Sequence, residues 1–176
     1  MPGLVPNIDP DGLLEYSVVY TDRAVNHMSE SFQNVMKDIS GTLSDVYNAD
    51  SVAVVPGSGT FGMEAVARQF ASDEHVLVIR NGWFSYRWTQ IFEAGNIPKS
   101  HTVCMARQER SEHQSPFAPC PIEEVVHQIE SEKPKVVFAP HVETSAGMIL
   151  PDEYLSRIAD AVHAVGGIFV LDCIAS

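Results

Sequence analysis

A glycine-rich segment is the first place in the chain where residue types and spacing suggest chemistry. Residues 57–62, GSGTFG, follow a short apolar run and precede residues with helical spacing. Backbone amides at the start of a helix, supported by the helix dipole, bind phosphate groups, and the hydroxyls of Ser58 and Thr60 add donors. Glycine lets the backbone approach such a ligand closely. The segment predicts a phosphate site, with a tight turn capped by Thr60 as the alternative.

The same six residues also fit the G-x-G-x-x-G fingerprint of dinucleotide-binding domains. That fingerprint requires an acidic residue at the end of the next strand, where it binds the ribose hydroxyls. Here the next predicted strand ends in Arg80 and Asn81. Arg80 suits the additional phosphate of NADP, so an NADP site stays open as an alternative. A single match of this kind is a weak signal.

A carboxylate follows the last predicted strand of the chain. Asp172 comes directly after the apolar residues 168–171, and the polar residues 141–147 follow another such run, 135–139. A buried aspartate is unfavourable unless a cation or a hydrogen-bond donor satisfies it. Parallel sheets bind their ligands at the carboxyl ends of the strands. Asp172 is therefore a candidate partner for a cationic ligand group, or else a turn cap.

Four motifs in this order resemble the class V aminotransferases, which are fold-type I enzymes that depend on pyridoxal 5'-phosphate. The subgroup is that of alanine–glyoxylate and serine–pyruvate aminotransferases, and the resemblance runs from the helix near Ser31 to Ser176. It implies amino transfer between alanine or serine and glyoxylate or pyruvate, in a homodimer. The motifs are GSGTFGMEA (57–65), RNGWF (80–84), HVETSAGMILP (141–151) and GGIFVLDCIAS (166–176).

The resemblance implies two sets of cofactor contacts in the first half of the chain. Ser58, Gly59 and Thr60 match the loop that holds the cofactor phosphate in that family. Phe84 matches the aromatic residue that stacks on the pyridine ring, with Trp83 beside it as the neighbouring alternative. Both sets are expected to bind pyridoxal 5'-phosphate.

The remaining implied contacts follow later strands. Asp172 matches the carboxylate that pairs with the pyridine nitrogen, and Ile174 matches the aliphatic side chain on the other face of the ring. Ser145 matches the hydroxyl near the phenolic oxygen, with Thr144 as the neighbouring alternative. A carboxylate beside the nitrogen favours its protonated form, which the ring needs as an electron sink.

The family also needs a lysine that forms a Schiff base with the cofactor. In the family this lysine lies one strand beyond the aspartate, whereas this sequence ends at Ser176. We therefore expect a truncated chain, without the C-terminal small domain, that is inactive alone. The alternative is a non-catalytic remnant that binds a phosphate ligand or a partner. The lysines present all lie outside the matching motifs: Lys37, Lys99, Lys133 and Lys135.

Short apolar runs alternate with amphipathic helices along the chain. This alternation predicts an α/β fold, a three-layer α/β/α sandwich with a mostly parallel sheet. With the resemblance, it is an incomplete large domain over residues 23–176, preceded by an N-terminal arm over residues 1–22. Residues 106–121 are interpreted as a long loop. The predicted strands are 51–55, 75–79, 102–105, 135–139 and 168–171, and the predicted helices begin near residues 31, 63, 84, 121 and 151.

Composition restricts the class of partner and the compartment. The net charge of -12 argues against nucleic acid and anionic membranes as partners, since both attract clustered basic residues. No apolar stretch is long enough to span a membrane and no signal peptide is recognisable, so we expect a cytoplasmic protein. The three cysteines and seven histidines form no metal-binding pattern, and free thiols are expected.

Overall fold

The computed structural model describes residues 30–176, so the predicted arm over residues 1–22 lies outside the described residues. The chain divides into two compact units, residues 1–55 and residues 56–176. In the described part of the first unit, one helix, α1, spans Glu30–Tyr47. Its apolar residues recur at helical spacing, and the helix continues through Gly41.

The prediction of a strand over residues 51–55 is wrong. The segment has no regular secondary structure, and Val54 and Val55 are 48% and 45% exposed. A strand is stable only when a neighbour satisfies its backbone amides and carbonyls. No ladder in the described chain includes this segment, so its β-branched residues alone do not make it a strand.

The second unit is built on a sheet of four parallel strands, in the order β2-β1-β5-β8. Two short antiparallel ribbons, β3 with β4 and β6 with β7, accompany it. The elements of this unit are α2 (Gly59–Phe70), β1 (His75–Arg80), α3 (Trp83–Gly95), β2 (Ser100–Met105), β3 (Arg107–Gln108), β4 (Phe117–Ala118), α4 (Ile122–Glu132), β5 (Val136–Pro140), β6 (Val142–Glu143), β7 (Met148–Ile149), α5 (Asp152–Ala164) and β8 (Ile168–Asp172).

Side chains that alternate along the central strands build a core on each face of this sheet. Leu77 and Val137 pack on one face with residues of α4 and α5. Val78 and Phe138 pack on the other face with residues of α2 and α3. Strands that are apolar on both faces require such covering helices. The predicted three-layer α/β/α fold with a parallel sheet is thus confirmed for this unit.

The strand order creates a switch point between β1 and β5. From β1 the chain passes through α3 to β2 on one side, and it returns through α4 to β5 on the other side of β1. The two connecting helices cover opposite faces of the sheet. In sheets of this kind a crevice opens outside the carboxyl ends of the strands at the switch point. This crevice is where the fold positions a ligand.

The predicted loop over residues 106–121 contains the ribbon β3–β4, which the sequence did not indicate. Each of its strands has two residues, too few for a periodic pattern to show. Arg107 also forms a bidentate ion pair with Glu124 of α4, with N–O distances of 2.8 and 2.6 Å. The segment is therefore held by this ion pair as well as by Cys120, which is buried in the core.

Two of the three free cysteines are buried, and this gives a first prediction. Cys104 and Cys120 are buried, whereas Cys173 is exposed. Burial and the neighbouring Cys120 raise the pKa of Cys104 to about 12, and the thiolate is the reactive form. We expect one thiol to react rapidly with Ellman's reagent and the other two to react only on unfolding. Three fast thiols in the native protein would contradict this burial.

None of the helices between residues 30 and 176 combines the length and apolar composition that a membrane crossing needs. The same residues bring together no group of three or more His, Cys, Asp or Glu side chains that would hold a metal ion.

Candidate active site

A cavity of about 290 Å³ lies in the second unit, where α2 begins and where segments after β1, β5 and β8 meet. Its wall contains seven of the eight residues that the resemblance assigned to the cofactor. Residues that are up to 116 positions apart in the sequence, Ser58 and Ile174, thus meet in one place. These seven residues are Ser58, Gly59, Thr60, Phe84, Thr144, Asp172 and Ile174.

The glycine loop supplies the anion-binding part of the wall. Ser58 is the N-cap of α2 and has extended backbone angles, and its side chain makes no capping hydrogen bond. The first amides of a helix lack intrahelical partners. The Ser58 hydroxyl and the amides of Gly59 and Thr60 therefore remain as donors for an anion. The alternative that Thr60 is the cap is wrong, because Thr60 lies within the first turn.

One glycine in this loop is required by its geometry, and a second lies close to the segment after β8. Gly57 has a φ of 143°, a backbone conformation that other residues rarely adopt. At Gly59 an added Cβ would lie 3.0 Å from Cδ1 of Ile174, the residue that follows Asp172 by two positions. The start of α2 and the segment after β8 are therefore close together, and a side chain at residue 59 would take space between them.

Asp172 ends β8 and faces the cavity as part of its wall. It is half-buried, and its Oδ1 accepts a hydrogen bond of 3.3 Å from the amide of Ile174. The second oxygen, Oδ2, remains for a ligand. The Ile174 side chain is 77% exposed, so it lies over the cavity without being packed into the core.

Arg87 lines the cavity as well, and sequence analysis missed it. Its Nη1 donates to Oγ1 of Thr60 at 3.1 Å, and its guanidinium carbon lies 5.6 Å from the centre of the Phe84 ring. Arg87 is the one basic side chain on the wall formed by the described residues. The available signal was its position, because it follows Phe84 by three residues, about one turn of α3.

The two neighbouring hydroxyls after β6 have different surroundings. Thr144 lines the cavity, whereas Ser145 does not. The Ser145 hydroxyl accepts the amide of Trp83 at 2.8 Å and donates to Oε1 of Glu143 at 2.5 Å. Of the two hydroxyl candidates, the structure thus places Thr144 on the cavity wall and Ser145 against the start of α3. Adjacent residues in a turn point in different directions, which spacing alone does not resolve.

Comparisons with known proteins give the family context. No family model matches the chain. It is 27% identical over 161 residues to (S)-ureidoglycine–glyoxylate transaminase of Bacillus subtilis strain 168, covering 90% of this chain and 36% of that protein. The crystal structure of the Bacillus subtilis enzyme matches with a TM-score of 0.71 at 24% identity, over 86% of this chain and 37% of the other.

Other solved structures agree with this match. Alanine–glyoxylate aminotransferase of Nostoc sp. gives a TM-score of 0.68 at 24% identity, over 86% of this chain and 38% of that one. Cystalysin of Treponema denticola, which contains pyridoxal 5'-phosphate, gives a TM-score of 0.61 at 13% identity, over 87% of this chain and 38% of that one. The chain shares the fold of pyridoxal-phosphate-dependent aminotransferases. The family resemblance stated from the motifs is confirmed, and the chain spans a little over a third of the length of these relatives.

The cavity of this aminotransferase-like unit fits pyridoxal phosphate in its donor set. The cofactor has a phosphate, an aromatic ring, a phenolic oxygen and a ring nitrogen. The wall offers helix-start amides for the phosphate, Phe84 and Ile174 for the ring, Thr144 for the oxygen and the Asp172 carboxylate for the nitrogen. A negative group and a positive group, Asp172 and Arg87, thus line the same cavity.

The NADP interpretation is not supported by the position of Arg80. That interpretation needs Arg80 beside the glycine loop, where it would bind a phosphate of the same ligand. Arg80 instead lines a different cavity, where it contacts Sδ of Met105 and lies 5.0 Å from the centre of the Tyr86 ring. The glycine loop also does not follow a strand, since residues 51–55 form none.

None of the four lysines is among the described residues that line the cavity. Lys133 and Lys135 flank the turn before β5, at the amino end of that strand. The cavity lies at the opposite, carboxyl end. The described wall of the cavity therefore contains groups that complement pyridoxal phosphate but no lysine.

Proposed function

We propose that this chain forms the cofactor-binding part of a pyridoxal-phosphate-dependent aminotransferase. The observation that carries the proposal is the meeting of four ligand-binding features in one cavity. These are a helix start with free donors, an aromatic ring, a hydroxyl and a carboxylate, each of which complements a different group of the cofactor. Homologues of the chain are aminotransferases, which supports the same activity.

Each residue has a separate task in this proposal. Ser58, Gly59 and Thr60 bind the phosphate, and Asp172 keeps a proton on the ring nitrogen because an adjacent negative charge favours the protonated form. When bound, pyridoxal phosphate supplies an electron sink for the charge that develops when the Cα proton of the substrate leaves. Phe84 restricts the plane in which such a ring can lie.

The remaining two contacts complete the ring site. Ile174 covers the face of the ring opposite Phe84, and the Thr144 hydroxyl binds the phenolic oxygen. Ser145, the other candidate for that oxygen, takes a supporting role through its hydrogen bond to the Trp83 amide. Arg87 adds positive charge beside the phosphate loop through its contact with Thr60.

We propose glyoxylate or pyruvate as the amino acceptor and a small amino acid, alanine or serine, as the donor. Glyoxylate is the acceptor in the names of both the Bacillus subtilis and the Nostoc relatives, which favours it over pyruvate. The first of these names makes (S)-ureidoglycine a further candidate donor. A cytoplasmic homodimer is the proposed form. Turnover is tested by assaying each pair of amino donor and acceptor with the protein in the form that its natural gene encodes.

The chain alone is proposed to bind the cofactor reversibly and to turn over slowly or not at all, because no lysine lines the described wall. The second candidate function rests on the same observation. It is a non-catalytic protein that uses the glycine loop to bind a phosphate ligand. Turnover of any pair of substrates would exclude this second function.

Cofactor binding is tested by thermal unfolding with deoxypyridoxine phosphate, which keeps the ring and phosphate but cannot react with surface lysines. At ten times its Kd, a ligand that binds only the folded chain stabilises it by about 1.4 kcal/mol, which raises Tm by about 3–6 °C. NADP and inorganic phosphate at the same concentration are the controls. Protection by NADP without protection by deoxypyridoxine phosphate would overturn the proposal.

A further inference from the structure

A fully buried carboxylate lies behind the cavity wall, and none of the tasks above uses it. Glu143 ends β6 and has no exposed surface. Its Oε1 accepts the amide of Phe84 at 3.1 Å, and its Oε2 accepts the amide and the hydroxyl of Ser85 at 2.9 and 2.6 Å. The Ser145 hydroxyl donates to Oε1 at 2.5 Å. One side chain therefore receives four hydrogen bonds.

These hydrogen bonds keep Glu143 ionised. Burial alone would raise the pKa of the carboxyl group, because it disfavours the charged form. The hydrogen bonds from Ser145, Ser85 and the Phe84 amide outweigh burial, and the pKa is lowered below its ordinary value. The carboxylate also lies at the start of α3, where the positive end of the helix dipole favours a negative charge.

The carboxylate joins the two segments that follow the switch-point strands. Phe84 and Ser85 belong to the first turn of α3, after β1, whereas Glu143 and Thr144 follow β5. The backbone ladder between β1 and β5 ends at Val78 and Phe138, well before either segment. Beyond that point, side-chain bonds must hold the two segments together.

The turn around Gly82 is shaped to this carboxylate. The Ser85 hydroxyl accepts hydrogen bonds from the amides of Asn81 and Gly82 at 2.8 and 3.1 Å and donates one to Glu143. A Cβ added at Gly82 would lie 2.5 Å from Oγ of Ser145 and 2.7 Å from Cγ of Glu143. The turn and the carboxylate thus fit closely, with no room for another side chain.

We propose that Glu143 is a positioning residue that clamps the first turn of α3 and thereby sets the place of Phe84 against the cofactor ring. The part that concerns the cofactor rests on the proposed function. Glu143 touches neither the cavity nor a ligand, and it acts through the Phe84 amide on one side and Thr144, its chain neighbour, on the other. A carboxylate suits this task because it only accepts hydrogen bonds, and its four hydrogen-bond partners all donate.

Glu143→Gln is the informative substitution, because it keeps the shape but replaces one accepting oxygen with a donating amide. The first readout is amide hydrogen exchange at Trp83, Phe84 and Ser85 in the chain without ligand. We expect exchange there to accelerate by about 10- to 100-fold relative to the unsubstituted chain. Exchange in α5 should be unchanged.

Glu132→Gln is the matched control. Glu132 also accepts hydrogen bonds from several side chains, including 2.7 Å from Thr102 and 2.8 Å from His75, but it lies on α4 away from the cavity. Its substitution should leave exchange at the start of α3 unchanged. Equal acceleration of exchange in the two variants would mean general destabilisation, and it would overturn the proposal that Glu143 fixes the first turn of α3.

The second readout is the Kd of two ligands by calorimetry. Inorganic phosphate reports only on the glycine loop, so its Kd should change by less than about twofold in Glu143→Gln. Deoxypyridoxine phosphate also needs Phe84 in place, so its Kd should rise by about tenfold, in line with the loss of one ring contact. A parallel rise for both ligands would overturn a role specific to the ring.

Two further outcomes are decisive. If the unsubstituted chain binds phosphate but not deoxypyridoxine phosphate, the proposed function fails, and the part of this inference that concerns the cofactor fails with it. Hydrogen exchange then still tests whether Glu143 fixes the first turn of α3. If Glu143→Gln does not fold, Ser145→Ala is the milder variant. It removes the acceptor of the Trp83 amide and one donor to Glu143, and should show the same pattern with smaller changes.

Discussion

Asp172→Asn is expected to weaken binding of deoxypyridoxine phosphate by about 10- to 100-fold while binding of inorganic phosphate is retained. The substitution keeps the size of the side chain and removes its negative charge. A hydrogen bond between charged groups contributes about 1.5–3 kcal/mol, which corresponds to this change in Kd. The phosphate end of the ligand does not depend on Asp172, because the start of α2 binds it.

The bound ligand should also change its protonation. Without the carboxylate, the ring nitrogen loses the negative charge that favours its proton, so the pKa of that nitrogen falls. The near-ultraviolet absorbance of bound deoxypyridoxine phosphate, followed against pH, reports this change directly. In the unsubstituted chain the protonated spectrum should persist to higher pH than in Asp172→Asn.

Asp160→Asn provides the matched control for this prediction. Asp160 is an exposed aspartate of α5, so its substitution makes the same change of charge outside the cavity. Its Kd and spectrum should equal those of the unsubstituted chain. Should Asp172→Asn behave like Asp160→Asn in both measurements, Asp172 is not the partner of the ring nitrogen. Its interpretation as a turn cap, supported by its bond to the Ile174 amide, would then stand.

The central strands were predictable because each is a continuous apolar run. Residues 76–79 and 136–139 are buried on both faces of the sheet, and such burial leaves a signal in the sequence itself. Residues 51–55 carry the same signal without forming a strand. Pairing is a property of two segments, and the composition of one segment does not contain it.

The site was predictable to the extent that its chemistry is local. The glycine loop and Asp172 are recognisable in the sequence, because each combines a characteristic residue type with a position at the end of a predicted element. Glu143 and Arg87 act through contacts across 27 to 59 positions of sequence, such as Arg87 with Thr60 and Glu143 with Phe84. No local pattern encodes such distances, and the structure was needed to find them.

The largest effect on stability is expected for Phe138→Ala. Phe138 lies in the middle of β5 with no exposed surface, and its ring centre is 4.5 Å from that of Trp88 and 5.2 Å from that of Phe92. Removing a buried phenyl ring costs about 3–5 kcal/mol, because transfer energy is lost and a cavity remains. The aromatic contacts place this residue at the upper end of that range.

Urea unfolding, monitored by tryptophan fluorescence, measures this effect as a lower midpoint with an unchanged slope. Phe117→Ala is the matched control, because its ring is 55% exposed and the change should stay within about 0.5 kcal/mol. A loss below about 1 kcal/mol for Phe138→Ala would mean that the aromatic layer between α3 and the sheet is not packed as described.

Phe138 does not line the cavity, so its substitution also separates the fold from the site. The folded fraction of Phe138→Ala should bind deoxypyridoxine phosphate with a Kd within about threefold of the unsubstituted chain, since none of the ligand-binding groups is removed. The core variant and the site variant then have opposite effects. Phe138→Ala lowers stability and spares affinity, whereas Asp172→Asn lowers affinity and spares stability, because its side chain carries no core contact.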